Sequence, residues 1–285
     1  VAASCTASFD GTDSPVDYVS TLVGSMSKHS ISTGNTYPAI ARPWGMNFWT
    51  PMTGTMGDGW TYTYTADQIR GFKQTHQPSP WINDYGQFVI MPVTTGAHFD
   101  QQERASWFSH KAETAKPYYY SVYLADHDVF AELTPTDRAA AFRLTYPERD
   151  MSYLVVDAFD KGSFVRVIPE KNMIVGYTTK NSGGVPDNFR NWFVVVCDTP
   201  FDYVRTVSDG RNMSESLSSE SFHSGALVGF KTARGQKVGL RVASSFISLE
   251  QAERNLAELG DGDFDRLVAE GKSRWNEVLG RISVE

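Results

Sequence analysis

The stretch from residue 87 to residue 246 most constrains the fold, because it is a succession of short apolar runs separated by turn residues. The runs are rich in Val, Ile, Phe and Tyr and have about the five to eight residues usual for strands. This spacing predicts an antiparallel β-sandwich. The ten predicted strands cover residues 88–93, 118–124, 129–133, 140–146, 153–157, 164–168, 173–177, 192–196, 226–230 and 238–242.

The period of the apolar residues becomes helical after Phe246. Ser248 and Gln251 form a capping box, and a bulky stripe follows at helical spacing. The stripe consists of Phe264, Leu267, Val268, Trp275, Val278, Leu279 and Ile282. We predict two helices over residues 247–285 whose exposed stripe marks a linker to a further domain. A shorter helical turn is predicted at Thr65, where residues 65–68 fit another capping box.

Residues 1–14 are rich in Ser, Thr, Ala, Gly and Asp and predict a flexible tether before a sandwich of residues 15–246. The chain begins with Val-Ala-Ala-Ser-Cys, in which small residues directly precede a cysteine. This pattern is typical of the lipidated cysteine of bacterial lipoproteins. Cys5 is therefore predicted to be lipidated, in an exported protein of the periplasm or cell surface. A chance run of small residues is the alternative interpretation. Cys197 lies in an apolar run and is predicted to be buried.

The charge and length of the chain exclude some functions. The net charge of −7 and the pI near 5.4 leave no basic surface for nucleic acid. The 285 residues allow one large all-β domain or two ordinary domains.

Residues 57–86 combine aromatic rings with polar side chains, as a sugar site does. Flat rings cover the apolar C–H face of a pyranose, and carboxylates, amides or imidazoles bond its hydroxyls. The alternative is that these rings are core residues beneath a surface loop. The segment contains Trp60, Tyr62, Tyr64, His76, Trp81, Asp84 and Tyr85.

A set of short motifs, in this order and spacing, resembles the N-terminal domain of glycoside hydrolase family 92. The motifs are Asp17-Tyr-Val with Leu22-Val-Gly, Gly34-Asn-Thr-Tyr-Pro, Pro43-Trp-Gly-Met, Gly71-Phe with Thr75-His, and Asn83-Asp-Tyr-Gly followed by Met91-Pro. The resemblance covers residues 15–285. The family consists of bacterial, calcium-dependent, exo-acting α-mannosidases that degrade glycans.

The resemblance implies a sandwich of the super-sandwich, galactose-mutarotase-like type, joined by helices to an (α/α)6 barrel. It places the active site between the two domains, with the catalytic carboxylates and most Ca²⁺ ligands in the barrel. No catalytic or metal-binding residue is therefore expected in this chain, and the chain alone is expected to be inactive. By the same resemblance Trp60 and Trp81 are stacking platforms, His76 bonds a sugar hydroxyl, and Asp84 accepts from a hydroxyl or organises the loop.

Two other functions remain open: a free-standing carbohydrate-binding sandwich and a structural or adhesive surface module. An exposed linker stripe disfavours both. Asp126, His127 and Asp128 could suggest a metal or acid–base cluster. Alternation along a strand instead separates His127 from the two carboxylates, and it predicts a solvated strand edge.

Overall fold

The computed structural model describes residues 14–26, 36–77, 79–82 and 84–282. The strands are β1 (Phe48–Pro51), β2 (Gln68–Ile69), β3 (Phe72–Thr75), β4 (Phe88–Val93), β5 (Ser106–Trp107), β6 (Glu113–Lys116), β7 (Tyr119–Leu124), β8 (Val129–Pro135), β9 (Ala139–Tyr146), β10 (Arg149–Asp157), β11 (Ser163–Ile168), β12 (Met173–Thr178), β13 (Asn191–Cys197), β14 (Tyr203–Ser208), β15 (Asn212–Ser214), β16 (Ser218–Ser221), β17 (Gly225–Thr232) and β18 (Gln236–Ser245). Two α-helices follow, α1 (Leu249–Asn255) and α2 (Phe264–Leu279). Short 3-10 helices lie at Pro15–Tyr18, His110–Ala112, Pro169–Lys171 and Leu256–Leu259.

The long strands form two antiparallel sheets that face each other. One sheet has seven strands in the order β1-β3-β4-β10-β17-β14-β15. The other has nine, in the order β16-β11-β12-β13-β18-β9-β8-β7-β6, and β2 pairs with β5 separately. One large cluster of buried apolar side chains from both sheets forms the core. The mainly β sandwich predicted from the sequence is confirmed.

Alternation decides which side chains enter this core. On β7, Val122 and Leu124 are buried in it, whereas Tyr123 between them points outward and is exposed. Strand β4 is buried along its whole length, because Val89 packs with Met52 and Phe159 on a second cluster. Unbroken apolar runs are therefore covered on both faces, as predicted.

All ten predicted strands are present, and eight of them are one to five residues longer than predicted. Most of the missed strands are short or polar, such as β3 (Phe-Lys-Gln-Thr) and β16 (Ser-Ser-Glu-Ser), whereas β14 is a missed strand of six residues. The predicted helical turn at Thr65 is wrong. Residues 68–69 instead form β2, which pairs with β5.

The C-terminal helices lie against the outer face of the nine-stranded sheet, and the predicted exposure of their stripe is wrong for its first half. Ser248 caps α1 as predicted, accepting from the amide of Gln251. Phe264 and Leu267 of α2 are buried with apolar side chains of the sheet. Further along α2, the Trp275 indole donates to the carbonyl of Ala41 at 2.8 Å. The sandwich itself therefore covers much of the stripe.

The predictions for the N-terminal segment are not tested by this structure. Cys5 and the predicted tether, apart from Ser14, lie outside the described residues. Cys197 is buried, and burial raises the pKa of its thiol to about 12. No helix within the described ranges has the length and apolar character needed to cross a membrane.

Candidate functional site

The buried carboxylate of Asp84 organises the loop between β3 and β4. The Thr75 hydroxyl donates to it at 2.7 Å, and the backbone amides of His76 and Tyr85 each donate at 2.8 Å. The ammonium of Lys73 lies 3.2 Å away. When the side-chain amide of Gln87 is oriented with its nitrogen towards Asp84, that nitrogen also donates to the carboxylate at 2.7 Å. These donors occupy both oxygens of Asp84 and hold the loop in place, whereas its predicted role towards a sugar stays a prediction.

A polar chain continues from Lys73 and joins this loop to the one that carries Trp60. Lys73 donates to the Thr61 hydroxyl at 2.8 Å, and that hydroxyl donates to the Gln77 side chain at 2.8 Å. The Gln77 amide in turn donates to the carbonyl of Gly59 at 2.7 Å. The two loops therefore hold a fixed position relative to each other.

Trp60 and Trp81 meet at the contact between these loops. Their rings pack edge to face, with centroids 5.3 Å apart. Trp60 is part-buried, whereas 55% of Trp81 is exposed. Trp60 therefore supports Trp81, and Trp81 presents the more open ring.

Both ring nitrogens of His76 already have partners within the domain. Nε2 lies 2.9 Å from Oδ1 of Asn47, and Nδ1 lies 2.8 Å from the carbonyl of Tyr85. Asn47 is itself held by the Ser244 hydroxyl at 2.9 Å. Burial lowers the pKa of His76, against the opposing effect of the Asp84 charge. A neutral ring has one N–H, so it donates to only one of these oxygens.

Aromatic side chains from distant parts of the chain surround His76. Tyr85 stacks on it at 5.4 Å, and Phe246 packs edge-on at 5.0 Å. Phe189 contacts both Tyr85 and Phe246. We call Trp60, His76, Trp81, Tyr85, Phe189 and Phe246 the aromatic end of the sandwich. Trp81 and Tyr85 are its exposed members, at 55% and 40%.

Sequence reasoning found four of these six rings as a segment, but it missed Phe189 and Phe246. Phe189 lies in a loop before β13, and Phe246 directly follows β18. Only the pairing of β13 with β18 brings them together. The one available signal was an aromatic residue at the point where the strand period ends.

The candidate site does not fit a calcium ion. Asp84, its buried carboxylate, is occupied by N–H and O–H donors, and an ammonium group lies beside it. Calcium requires several free oxygen ligands. No group of three or more His, Cys, Asp or Glu side chains within residues 14–26, 36–77, 79–82 and 84–282 could hold a metal ion.

The strand edge predicted for Asp126, His127 and Asp128 is wrong, since these residues form the turn between β7 and β8. Asp126 accepts from the backbone amide of Trp107 at 2.6 Å. The buried ring of His127 lies 2.9 Å from the carbonyl of Arg104. Asp128 adopts a left-handed conformation, with φ of 52°. Each residue therefore has a structural role, and the three do not form an acid–base cluster.

Antiparallel sandwiches host many unrelated functions, so membership of a family, and not the fold alone, defines the class of this domain. The family model described as the glycosyl hydrolase family 92 N-terminal domain matches residues 18–245. The chain belongs to glycosyl hydrolase family 92 and comprises its N-terminal domain.

Solved structures of longer proteins are similar to almost the whole chain. An inverting mannosidase of family GH92 from Bacteroides thetaiotaomicron is 43% identical, with a TM-score of 0.92 over 96% of this chain and 37% of its own. A family GH92 α-mannosidase of the same organism, bound to mannoimidazole, is 26% identical, with a TM-score of 0.84. The match covers 96% of this chain and 38% of that mannosidase. A curated relative, an uncharacterized secreted glycosidase of Arthroderma benhamiae, is 22% identical over 94% of this chain and 38% of its own length. The chain thus spans less than two-fifths of these relatives.

Proposed function

We propose that this chain is the substrate-shaping N-terminal domain of an exo-acting, inverting α-mannosidase that removes α-1,2-linked mannose from glycans. The observation that carries the proposal is the aromatic end, where Trp81 and Tyr85 stay exposed on a rigid support. The 43% identity to an inverting mannosidase supports the reaction class.

In this proposal the aromatic end binds the leaving sugar. The exposed ring of Trp81 stacks on its C–H face, with Trp60 as the support behind that ring. Asp84 and His76 position the backbone of Tyr85 instead of forming hydrogen bonds with the sugar directly. Stacking and a few hydrogen bonds contribute on the order of a few kcal/mol, which selects the leaving sugar without driving hydrolysis.

The bond-breaking chemistry belongs to a C-terminal catalytic domain. Inversion needs one carboxylic acid to protonate the leaving oxygen and a second carboxylate to activate water on the other face of the ring. Asp84 suits neither task because its oxygens are already occupied. The calcium ion that the family resemblance implies would be held by that domain, and we assign it no step through residues of this chain. Export as a lipoprotein anchored at Cys5 is a further part of the proposal, and a secreted glycosidase among the relatives is consistent with export.

The test is mannose release from α-1,2-linked mannobiose, measured with and without calcium chelation. We expect activity from the gene product extended past Glu285 and none from the 285-residue chain. Activity of the 285-residue chain would contradict the proposal and redirect the search for carboxylates to this chain.

A matched pair of tryptophan variants of the extended protein tests the role of the aromatic end. Trp81→Ala should lower kcat/KM about two- to tenfold, since a stacked aromatic contributes roughly 0.5–1.5 kcal/mol. Trp107→Ala is the control, because Trp107 is 48% exposed but lies on β5, beside the β7–β8 turn. Equal effects of the two variants would contradict a specific role for the aromatic end.

A free-standing carbohydrate-binding module is the second candidate. The observation in its favour is that α2 packs on the sandwich, with Leu267 buried and Trp275 bonded to Ala41. The sandwich therefore covers the first half of their stripe without another domain. Calorimetry of the 285-residue chain with α-1,2-mannobiose separates the candidates: a lectin-like affinity in the micromolar range favours the module.

A further inference from the structure

The outer face of the nine-stranded sheet is only half covered. Helices α1 and α2 pack over Ala139 and Ala141 of β9 and over Ala243 of β18. The other half of β9 and β18, towards Thr145 and Lys237, lies beyond this cluster. Single exposed apolar residues are common on protein surfaces, but contiguous ones are not. Neighbouring exposed apolar residues on a sheet therefore indicate a binding surface.

Two aromatic rings stand side by side on the open half. Tyr123 of β7 is the register partner of Phe130 of β8, and Phe130 is the partner of Thr145 on β9. Directly opposed residues on one face have Cβ atoms about 5 Å apart, so the two side chains are neighbours on this face, and we call them the Tyr123 platform. Both are open to solvent, Tyr123 at 38% and Phe130 at 37%. Thr145 and then Lys237 of β18 extend the row across roughly 14 Å of sheet.

Polar groups surround this platform in a pocket of about 460 Å³. Asp128 and Glu148 line it together with Arg149 and Arg234. The Tyr123 hydroxyl donates to Asp128 at 2.8 Å, which fixes the ring against the turn. Two carboxylates balance two guanidinium groups, so the pocket suits a neutral ligand rich in hydroxyl groups better than an anion or a cation.

The surface is separate from the aromatic end. His76 and Asn47 lie beside Arg138, at the start of β9, whereas Thr145 lies near its end. Seven residues of strand separate Arg138 from Thr145, a distance of roughly 23 Å. One sugar residue cannot occupy both surfaces.

We propose that Tyr123 and Phe130 form a second carbohydrate-binding surface, which holds a neutral oligosaccharide remote from the aromatic end. The rings stack on successive pyranose faces, and the charged side chains of the pocket bond the hydroxyls. Such a surface keeps the domain on a polymeric glycan. The proposal does not depend on mannosidase activity.

The test is electrophoresis of the 285-residue chain in native gels with and without soluble α-mannan. We expect the polysaccharide to retard the wild-type chain, and the apparent Kd to rise roughly fivefold or more in the double variant Tyr123→Ala/Phe130→Ala. The ring-conserving pair Tyr123→Phe/Phe130→Tyr should keep the retardation even if the alanine pair folds poorly. Phe222→Ala is the control, since Phe222 is 63% exposed on a different part of the surface.

Three results would overturn the inference. The alanine pair could be retarded as strongly as the wild type, or Trp81→Ala alone could abolish all retardation. The double alanine variant could also lose self-association in gel filtration while its retardation by mannan stays unchanged. That result would make the platform a contact between copies of the chain. Retardation that depends on Tyr123, together with no mannose release by the gene product extended past Glu285, would support this inference while the proposed function fails.

Discussion

Buried carboxylates show most clearly, at the scale of single residues, how this domain holds its loops. Asp84 closes the β3–β4 loop, and Asp157 at the end of β10 lies 2.8 Å from the guanidinium of Arg104. His223 is a second partner of Asp157, and its Nε2 lies 2.7 Å from the carboxylate. A buried charge is tolerated only with such partners, so losing one partner costs more than the pair contributes.

Replacing Asp84 with Asn should destabilise the domain by about 3–5 kcal/mol, because the buried ammonium of Lys73 then has no anionic neighbour. The measurement is the free energy of unfolding in urea. Asp187→Asn, at an exposed position, is the control and should stay within about 0.5 kcal/mol of the wild type. Adding Lys73→Met to Asp84→Asn should recover part of the loss, and no recovery would contradict the charge argument.

Stability should fall in acid partly because of Asp157. Burial raises the pKa of this carboxyl, but the charges of Arg104 and His223 outweigh burial and hold it at about 2. A folded pKa below the unfolded value of 3.8 means that the stabilisation is present above about pH 4 and is lost as pH falls towards 2. The loss should be on the order of 2 kcal/mol.

Unfolding free energies measured between pH 5 and 2 test this expectation. Asp157→Asn should flatten the dependence over that window, since the amide does not titrate. The same slope in the wild type and the variant would show that other carboxyls cause the acid sensitivity.

At the scale of elements, helix α2 is a structural part of the sandwich. Its first half shares an apolar cluster with the nine-stranded sheet, and Arg143 of β9 lies over the Phe264 ring at 4.3 Å. The Asp263 side chain caps the helix by accepting from the amides of Asp265 and Arg266.

Leu267→Ala should cost about 2–5 kcal/mol, because it leaves a cavity between α2 and the sheet. The measurement is the midpoint and slope of unfolding in urea. Val278→Ala, near the end of the same helix and only part-buried, is the matched control and should cost about 1 kcal/mol or less. Equal losses would mean that both halves of α2 pack equally tightly.

Strands could be predicted where apolar residues alternate or run together, as they do in most strands of the two sheets. Strand β3 could not be predicted, because three of its four residues are polar. These polar residues are buried together with partners from other parts of the chain, such as Asp84 for Lys73. The capping-box pattern at Thr65 has no helix after it, since Ile69 is buried in the small β2–β5 sheet. Local patterns are overridden where distant contacts supply the free energy.

The candidate site was predictable as a segment but not as a surface. Trp60, His76, Trp81 and Asp84 share one stretch of sequence, so composition was enough to select them. Their separate roles depend on contacts that no spacing encodes, such as Asn47 on His76. Whether these residues bind sugar stays a prediction.

The whole molecule is one cooperative body over the described residues, since the main core draws on both sheets and the helices share a cluster with one of them. The aromatic end and the Tyr123 platform therefore sit on a common rigid support. Their separation along β9 stays fixed while either one is occupied.

The 285-residue chain should unfold in a single transition. Far-UV circular dichroism, which reports the helices and sheets, and tryptophan fluorescence should give coincident curves in urea. An early loss of helical signal would show that α1 and α2 depend on another domain for their stability.

The backbone amide of Val16 donates to the side chain of Asn276 at 3.0 Å, although 260 residues separate them in the sequence. Lys272 reinforces the same junction by pairing with Asp17. During synthesis, the contacts between this turn and α2 therefore cannot form until α2 has left the ribosome. Closure of the domain therefore waits for the last of its own elements, and pairings this distant in sequence make folding slow.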